Sequence, residues 1–311
     1  MSRFFLGRLA STLVSLAGVT LIVTLFLNFI PGDPIEVMLG EQAEQVDREA
    51  LRAAIGLDRS APEQVWIFVR DLTSGELRTS LPPFQTKVLP RIAEKMPRTI
   101  LLAVVSVLFA VLLAIPLGVY SARKRGKAGD HAAMLFSLTG VSLPRAWFGP
   151  LLILVFVVQL DWLPALGEPG PTTIVLPALT LGLAMMAMLS RMTRASVLDV
   201  DREDFVTTAR AKGLSERTVV WRHIVRNALI PVITIVGLQF GTLLAGAIVT
   251  EKIFNWPGMG TLLLTAIQQR DYNTVRACVL LFTTLYVGVN LLTDLAYGLV
   301  DPRVRVGGTA R

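Results

Sequence analysis

The chain has 311 residues and a mean hydropathy of +0.59, with 53% hydrophobic and only 17% charged residues, well under the roughly 25% charge of a soluble domain. The deficit is concentrated in uncharged stretches at 9–32, 99–122, 146–160, 169–190, 227–250 and 277–293, which argues against a soluble enzyme and a disordered chain. The net charge is +7, and the single cysteine, Cys278, permits neither an internal disulfide nor a multi-cysteine metal site.

In chain order, the first apolar run, 9–30, is too long and wrongly flanked for a cleaved signal peptide. It ends in Asn28-Phe29-Ile30-Pro31-Gly32-Asp33-Pro34 instead of a small-residue cleavage site. About 20 apolar residues cross a hydrocarbon core of about 30 Å, so this run is read as a permanent span. Further spans are predicted at 98–122, within 132–160, and at 172–192, 228–250 and 276–300. The fold class expected is an all-α integral membrane protein of six transmembrane helices. Its parts are a cytoplasmic N-terminus with the first span (1–30), an outer cap segment (31–97), a five-helix core (98–300) with a cytoplasmic loop at 193–226, and a tail (301–311).

The basic residues set the orientation. Arg3 and Arg8 precede the first span; Arg123, Lys124, Arg125 and Lys127 follow the second. Eight more lie between Arg191 and Arg226, and Arg303, Arg305 and Arg311 follow the sixth. The terminal side carries 17 basic and 7 acidic residues, the other side 12 and 15. Short loops rich in Lys and Arg stay cytoplasmic, so both termini are expected inside. The positive charge is thus read as membrane orientation, with lipid as the partner and no nucleic acid.

The third span carries Pro144-Arg145 near its middle and Pro150 beyond. Proline removes a backbone donor and kinks a helix. Arg145 either snorkels to headgroups or lines a translocation path. The outer segment 31–97 has 11 acidic and 8 basic residues. Helices are expected at 41–55, with Gly56 as the stop, and at 62–72. A turn or loop follows at 75–81, a break at Pro82-Pro83, and a surface amphipathic helix at 88–95. The segment reads as a cap or docking surface. The piece 253–269 is uncharged but broken. Pro257-Gly258 and Gly260 suggest a tight turn before a short helix at 261–269, giving either a re-entrant gate or an ordinary outer loop.

The cytoplasmic loop is the most informative stretch. Asp201 is read as an N-cap, with Glu203 and Asp204 in the favourable first turn. Lys212 and Gly213 close that helix, and Ser215 caps a second helix entering span five. The elbow is small and apolar through Ala209, Ala211, Gly213 and Leu214, and ringed by Arg210, Lys212 and Arg217. It suits a groove on a cytoplasmic partner, or is a solvated basic loop. No GxxxxGK[ST] or HExxH run occurs. His131 and His223 sit on cytoplasmic connections. Asp294 with Asn290 forms a polar i, i+4 face read as structural glue.

The elbow resembles the cytoplasmic loop of permease subunits in bacterial ABC importers, written E-A-A, three residues, Gly, nine residues, then I-x-L-P. Here it falls on Thr207, Thr208 and Ala209, then Gly213, then His223, Val225 and Arg226. The run Thr208-Ala209-Arg210-Ala211-Lys212-Gly213-Leu214-Ser215, with Arg222-His223 and Arg226-Asn227-Ala228-Leu229-Ile230-Pro231, resembles the dipeptide, oligopeptide and nickel permeases. So do Phe29–Pro34, Glu251-Lys252-Ile253-Phe254 with Pro257-Gly258-Met259-Gly260 and Arg270-Asp271-Tyr272, and Asp294-Leu295-Ala296-Tyr297 with Asp301-Pro302-Arg303. The long first outer segment is similar to the B-type subunit. Asn273 and Arg276 depart from the proline and glutamine of that pattern.

The resemblance implies a type I importer permease fold and no catalysis or cofactor in this chain. It implies ATP and Mg in two ABC ATPase partners, a homologous second permease subunit, an extracytoplasmic substrate-binding protein, and the bacterial inner membrane. A di- or oligopeptide substrate is implied, with nickel or glutathione as alternatives. The ATPase contact is expected at Asp204, Phe205, Thr208, Ala209, Arg210, Ala211, Lys212, Gly213 and Leu214. The path or gate is expected at Arg145, Pro257, Gly258, Gly260 and Arg276. The rivals are a secondary transporter, which should show repeats and midplane charges, and a membrane scaffold.

Overall fold

The computed structural model describes residues 2–28, 35, 45–54, 57–80, 86–142, 144–164 and 170–300. Among these there is helix and turn but no strand, only an isolated bridge between Arg78 and Lys87. Among the described residues, four helices are long and apolar enough to cross a membrane: Val88–Arg123, Val175–Val200, Glu216–Ile253 and Tyr272–Thr293. The expectations at Phe29–Pro34, Gly56, Pro82-Pro83 and the tail 301–311 lie outside the described residues, as do the side chains of Arg145 and Asp294.

The described residues fall into two compact units, one drawn from 1–98 and 258–287, the other from 99–257 and 288–311. In the first, α1 (Ser2–Asn28) packs on α3 (Ala61–Ser74), and α2 (Gln45–Ala54) lies between them in sequence. α3 begins as its sequence demands, with proline in the first turn, and stops at Gly75 in the left-handed region, φ +75°. The expected surface helix at 88–95 is not a separate element. It is the start of α4 (Val88–Arg123), 36 residues without a break. At 1.5 Å per residue this helix is about 54 Å long, well beyond a hydrocarbon core.

In the second unit, α7 (Val175–Val200) packs against α5 (Ala128–Ser142) and α9 (Glu216–Ile253). Small residues permit the approach. A Cβ on Gly118 would lie 2.6 Å from the Ser190 carbonyl, and one on Gly182 2.7 Å from that of Ser106. Buried hydroxyls bond across helices, Ser190 Oγ to Ser137 Oγ at 2.8 Å, as small-residue membrane interfaces favour. The third expected span is not one helix. It breaks after α5, restarts at α6 (Arg145–Leu152) with Pro144 as N-cap, and continues as a π-helix over Ile153–Gln159. α9 also contains a π segment, Val219–Val225. α8 (Asp204–Ala211), α10 (Met259–Gln268) and α11 (Tyr272–Val300) complete the described elements.

Candidate functional site

The loop at 193–226, expected on the cytoplasmic side, folds as a short helix, an elbow and a second helix. α8 ends in a Schellman motif. The Leu214 amide donates to the Ala209 carbonyl at 3.4 Å and the Gly213 amide to that of Arg210 at 3.0 Å. Gly213 stands at φ +75°, and a Cβ there would meet nothing within 4 Å. Its requirement is therefore conformational: L-residues with a side chain disfavour this region. Ser215 accepts from the Thr218 amide at 3.4 Å and caps the next helix as its position predicts. The N-cap of α8 is Glu203, not Asp201. Asp201 is instead held by Arg210, whose Nη2 reaches Asp201 Oδ1 at 2.6 Å and Glu216 Oε1 at 3.2 Å. Arg210 thus staples both sides of the elbow, and Glu216 followed by Asp201 keep its guanidinium charged.

Two faces of α8 separate cleanly. Val206 and Ala209, 0% and 5% exposed, join a core with Val119, Ala122, Val197, Val219, Val220, Ile224, Val225 and Ala228. Full burial of a valine contributes about 1.5–3 kcal/mol, so this contact locks α8 to the bundle. Ala209, expected to face a partner, is corrected: its methyl is consumed by the chain's own core. The outward face carries Phe205 and Leu214, 42% and 41% exposed, with Asp204, Thr208, Ala211 and Lys212 also exposed.

The same unit holds a clamp that local sequence patterns do not announce. Asp130, 3% exposed, accepts from Arg194 twice, from the Ser121 hydroxyl, and from the Gly126 amide at 3.0 Å. The Arg194 guanidinium, then Ser121 and Gly126, hold its carboxyl well below the usual carboxylate range. The only local signal is an acidic residue in the first turn of α5.

At the expected gate the turn is displaced. The residue with positive φ is Asn255, at 47°, and it ends α9. Trp256 donates to the Glu251 carbonyl at 2.8 Å and Asn255 to that of Lys252 at 3.4 Å. Gly258 is extended and caps α10. Gly258 and Gly260 are buried and Pro257 is half-buried.

In the first unit, Arg270 at φ 55° closes α10 and delivers Asp271, 1% exposed, to the start of α11. Asp271 Oδ1 accepts from the Ser80 amide at 2.8 Å and the Thr274 amide at 3.3 Å. Asn273 Nδ2 donates to the Arg78 carbonyl at 2.9 Å. These bonds fasten residues 78–80 beside Arg276, which is 7% exposed and donates from Nη2 to Gln64 Oε1 at 2.9 Å. Sequence reasoning singled out Arg276 but missed Gln64, 212 residues away.

The family model described as "Binding-protein-dependent transport system inner membrane component" matches residues 114–306, and its companion for the N-terminal part matches 1–103. Curated relatives include the protein named glutathione transport system permease protein GsiC from Pectobacterium atrosepticum. It is 41% identical over 98% of this chain and 99% of its own length. The protein of the same name from Escherichia coli strain K12 is 39% identical with the same coverage. Among solved structures, an amino acid ABC transporter matches with a TM-score of 0.53 at 14% identity, over 67% of this chain and 94% of that one. The inward-facing MetNI methionine ABC transporter matches with a TM-score of 0.55 at 17% identity, over 68% and 97%. The structural likenesses carry the fold alone, a type I importer permease.

Proposed function

We propose, for a chain that belongs to the family of inner membrane components of binding-protein-dependent transport systems, the role of a permease subunit importing small peptides of the glutathione and dipeptide class. The family's permeases do no covalent chemistry; hydrolysis of ATP belongs to separate ATPase subunits. The peptide class is favoured by two relatives named for glutathione transport that align along nearly the whole chain.

The observation that carries the coupling role is the division of α8. Val206 and Ala209 bolt it to the bundle, while Phe205 and Leu214 stand exposed on either side of the Gly213 elbow. An apolar face exposed on a rigidly held helix fits a groove on an ATPase partner. Movement of that groove is then transmitted through α9 into the membrane. The second permease subunit and the receptor complete the assembly in this reading. The termini and this loop lie inside, and residues 31–97 lie outside, where they meet the receptor.

The test is reconstitution of the complete complex in vesicles with radiolabelled glutathione and alanyl-alanine. Uptake that requires both ATP and receptor is expected for at least one. ATP-independent uptake, or uptake of neither, would overturn the reading.

A further inference from the structure

We propose that the recess beside Arg276 is a carboxylate-binding site for small peptides arriving at the outer unit; this rests on the import reading above. The recess has a volume of about 310 Å³ and lies wholly within the first unit. That volume falls at the lower end of small-ligand pockets, about 300–1,000 Å³, and suits one end of a short peptide.

Its lining is strongly unbalanced in charge. Four guanidinium groups, from Arg59, Arg70, Arg78 and Arg276, face one carboxylate, Asp71. Arg70 already holds Asp71 at 2.8 Å. Arg59 lies 3.9 Å from Glu63 on the surface. Arg276 differs from these. It is more than nine-tenths buried, its Nη2 bonds only to the neutral Gln64 amide, and its Nε has no hydrogen-bond partner among the described residues. A buried charge held without a counter-ion is costly, and a guanidinium fork matches a carboxylate with two parallel hydrogen bonds. A carboxylate entering the recess that Arg276 lines would bring the buried guanidinium an opposite charge.

Gln64 keeps the fork in place. Its Nε2 donates to the Arg59 carbonyl at 3.0 Å, which fixes the amide so that its oxygen points to Arg276. Asn273, tied to the Arg78 carbonyl, lines the same recess and supplies a further polar wall. The site is thus built by two separated pieces of chain, 57–80, which includes α3, and the start of α11.

The experiment uses the complete complex in nanodiscs without receptor, and equilibrium dialysis of radiolabelled alanyl-alanine and of its C-terminal amide. The acid should bind at least about tenfold more tightly, the scale of one charged hydrogen-bonded contact. Arg276→Gln should reduce acid binding to the level of the amide. Gln64→Glu should do the same by supplying a resident carboxylate to Arg276, and this near-isosteric variant covers the case in which Arg276→Gln fails to assemble. Equal binding of acid and amide, no binding of either, or unchanged acid binding in an assembled variant would overturn the site. With receptor added in a second arm, loss of its docking in Arg276→Gln with dipeptide binding intact would also overturn the site and assign the recess to a receptor carboxylate. Carboxylate-dependent binding without ATP-driven uptake would support the recess and remove the import reading; normal uptake with equal acid and amide binding would do the reverse.

Discussion

Arg194 closes on Asp130 with a fork of two hydrogen bonds, Nε to Oδ1 at 2.8 Å and Nη2 to Oδ2 at 2.7 Å, across 64 residues of sequence. The same carboxylate receives Ser121 and the Gly126 amide. One buried charge therefore joins the end of α4, the following turn, the start of α5 and α7. Asp130→Asn keeps the shape and removes the charge, with an expected loss on the order of 2 kcal/mol. Because the folded carboxyl is depressed, its stabilisation is complete above the unfolded pKa near 4 and is lost only as pH falls towards the lower folded value. The difference in thermal midpoint between wild-type and Asp130→Asn complexes should accordingly stay constant from about pH 5 to 8 and shrink below that range. A difference that varied across neutral pH would assign the clamp to another titrating group.

Gly213 occupies a left-handed conformation with open space where a side chain would go. A residue with a Cβ pays roughly 1–2 kcal/mol there, and asparagine pays least. Gly213→Val should leave membrane insertion intact, lower transport per ATP hydrolysed, and exceed Gly213→Asn in effect. Equal, wild-type coupling in both variants would mean that the elbow transmits nothing.

Ala209 and Phe205 should separate stability from docking. Ala209→Glu places a carboxylate in the chain's own core, an uncompensated burial, and should lower thermal stability even in the isolated permease pair. Phe205→Ser changes an exposed residue and should spare that stability while weakening ATPase association. Pull-down stoichiometry and thermal unfolding read the two effects independently. A Phe205→Ser complex with full ATPase occupancy would remove Phe205 from the interface.

Orientation is checked with single cysteines at Gly75 and Gly126, both at positive φ on turns with free space around them. The native Cys278 is fully buried, so background labelling should be low. An impermeant thiol reagent on intact cells should label position 75 and spare 126; the opposite pattern would invert the topology.

The elements legible in the sequence are those fixed by local chemistry. Gly213, Gly75 and Ser215 each act within four residues of their position, and the four long apolar helices follow from composition. The misplaced features have non-local or non-α causes. The stop of α9 falls on Asn255 because its two Schellman bonds are available before Pro257-Gly258 is reached. The inward turn of Ala209 depends on a core assembled from α4, α7 and α9. Pairing of Arg276 with Gln64, and of Arg194 with Asp130, joins residues far apart in sequence and leaves no periodic trace.

The π segment Val219–Val225 has a consequence for phase. Its buried residues are Val219, Val220, Ile224 and Val225, two pairs each five residues apart. In α-winding, positions five apart diverge by about 140° around the axis; with i→i+5 bonding they return to nearly one side. The wider winding thus lets both pairs face the core that holds α8. Rewinding this stretch to α would advance everything beyond Val225 by a large fraction of a turn relative to the elbow. The joint is keyed like a spline: the angular setting of the membrane-crossing portion of α9 is fixed by the number of residues in seven positions, so removing one should misalign the shaft while leaving both of its ends intact.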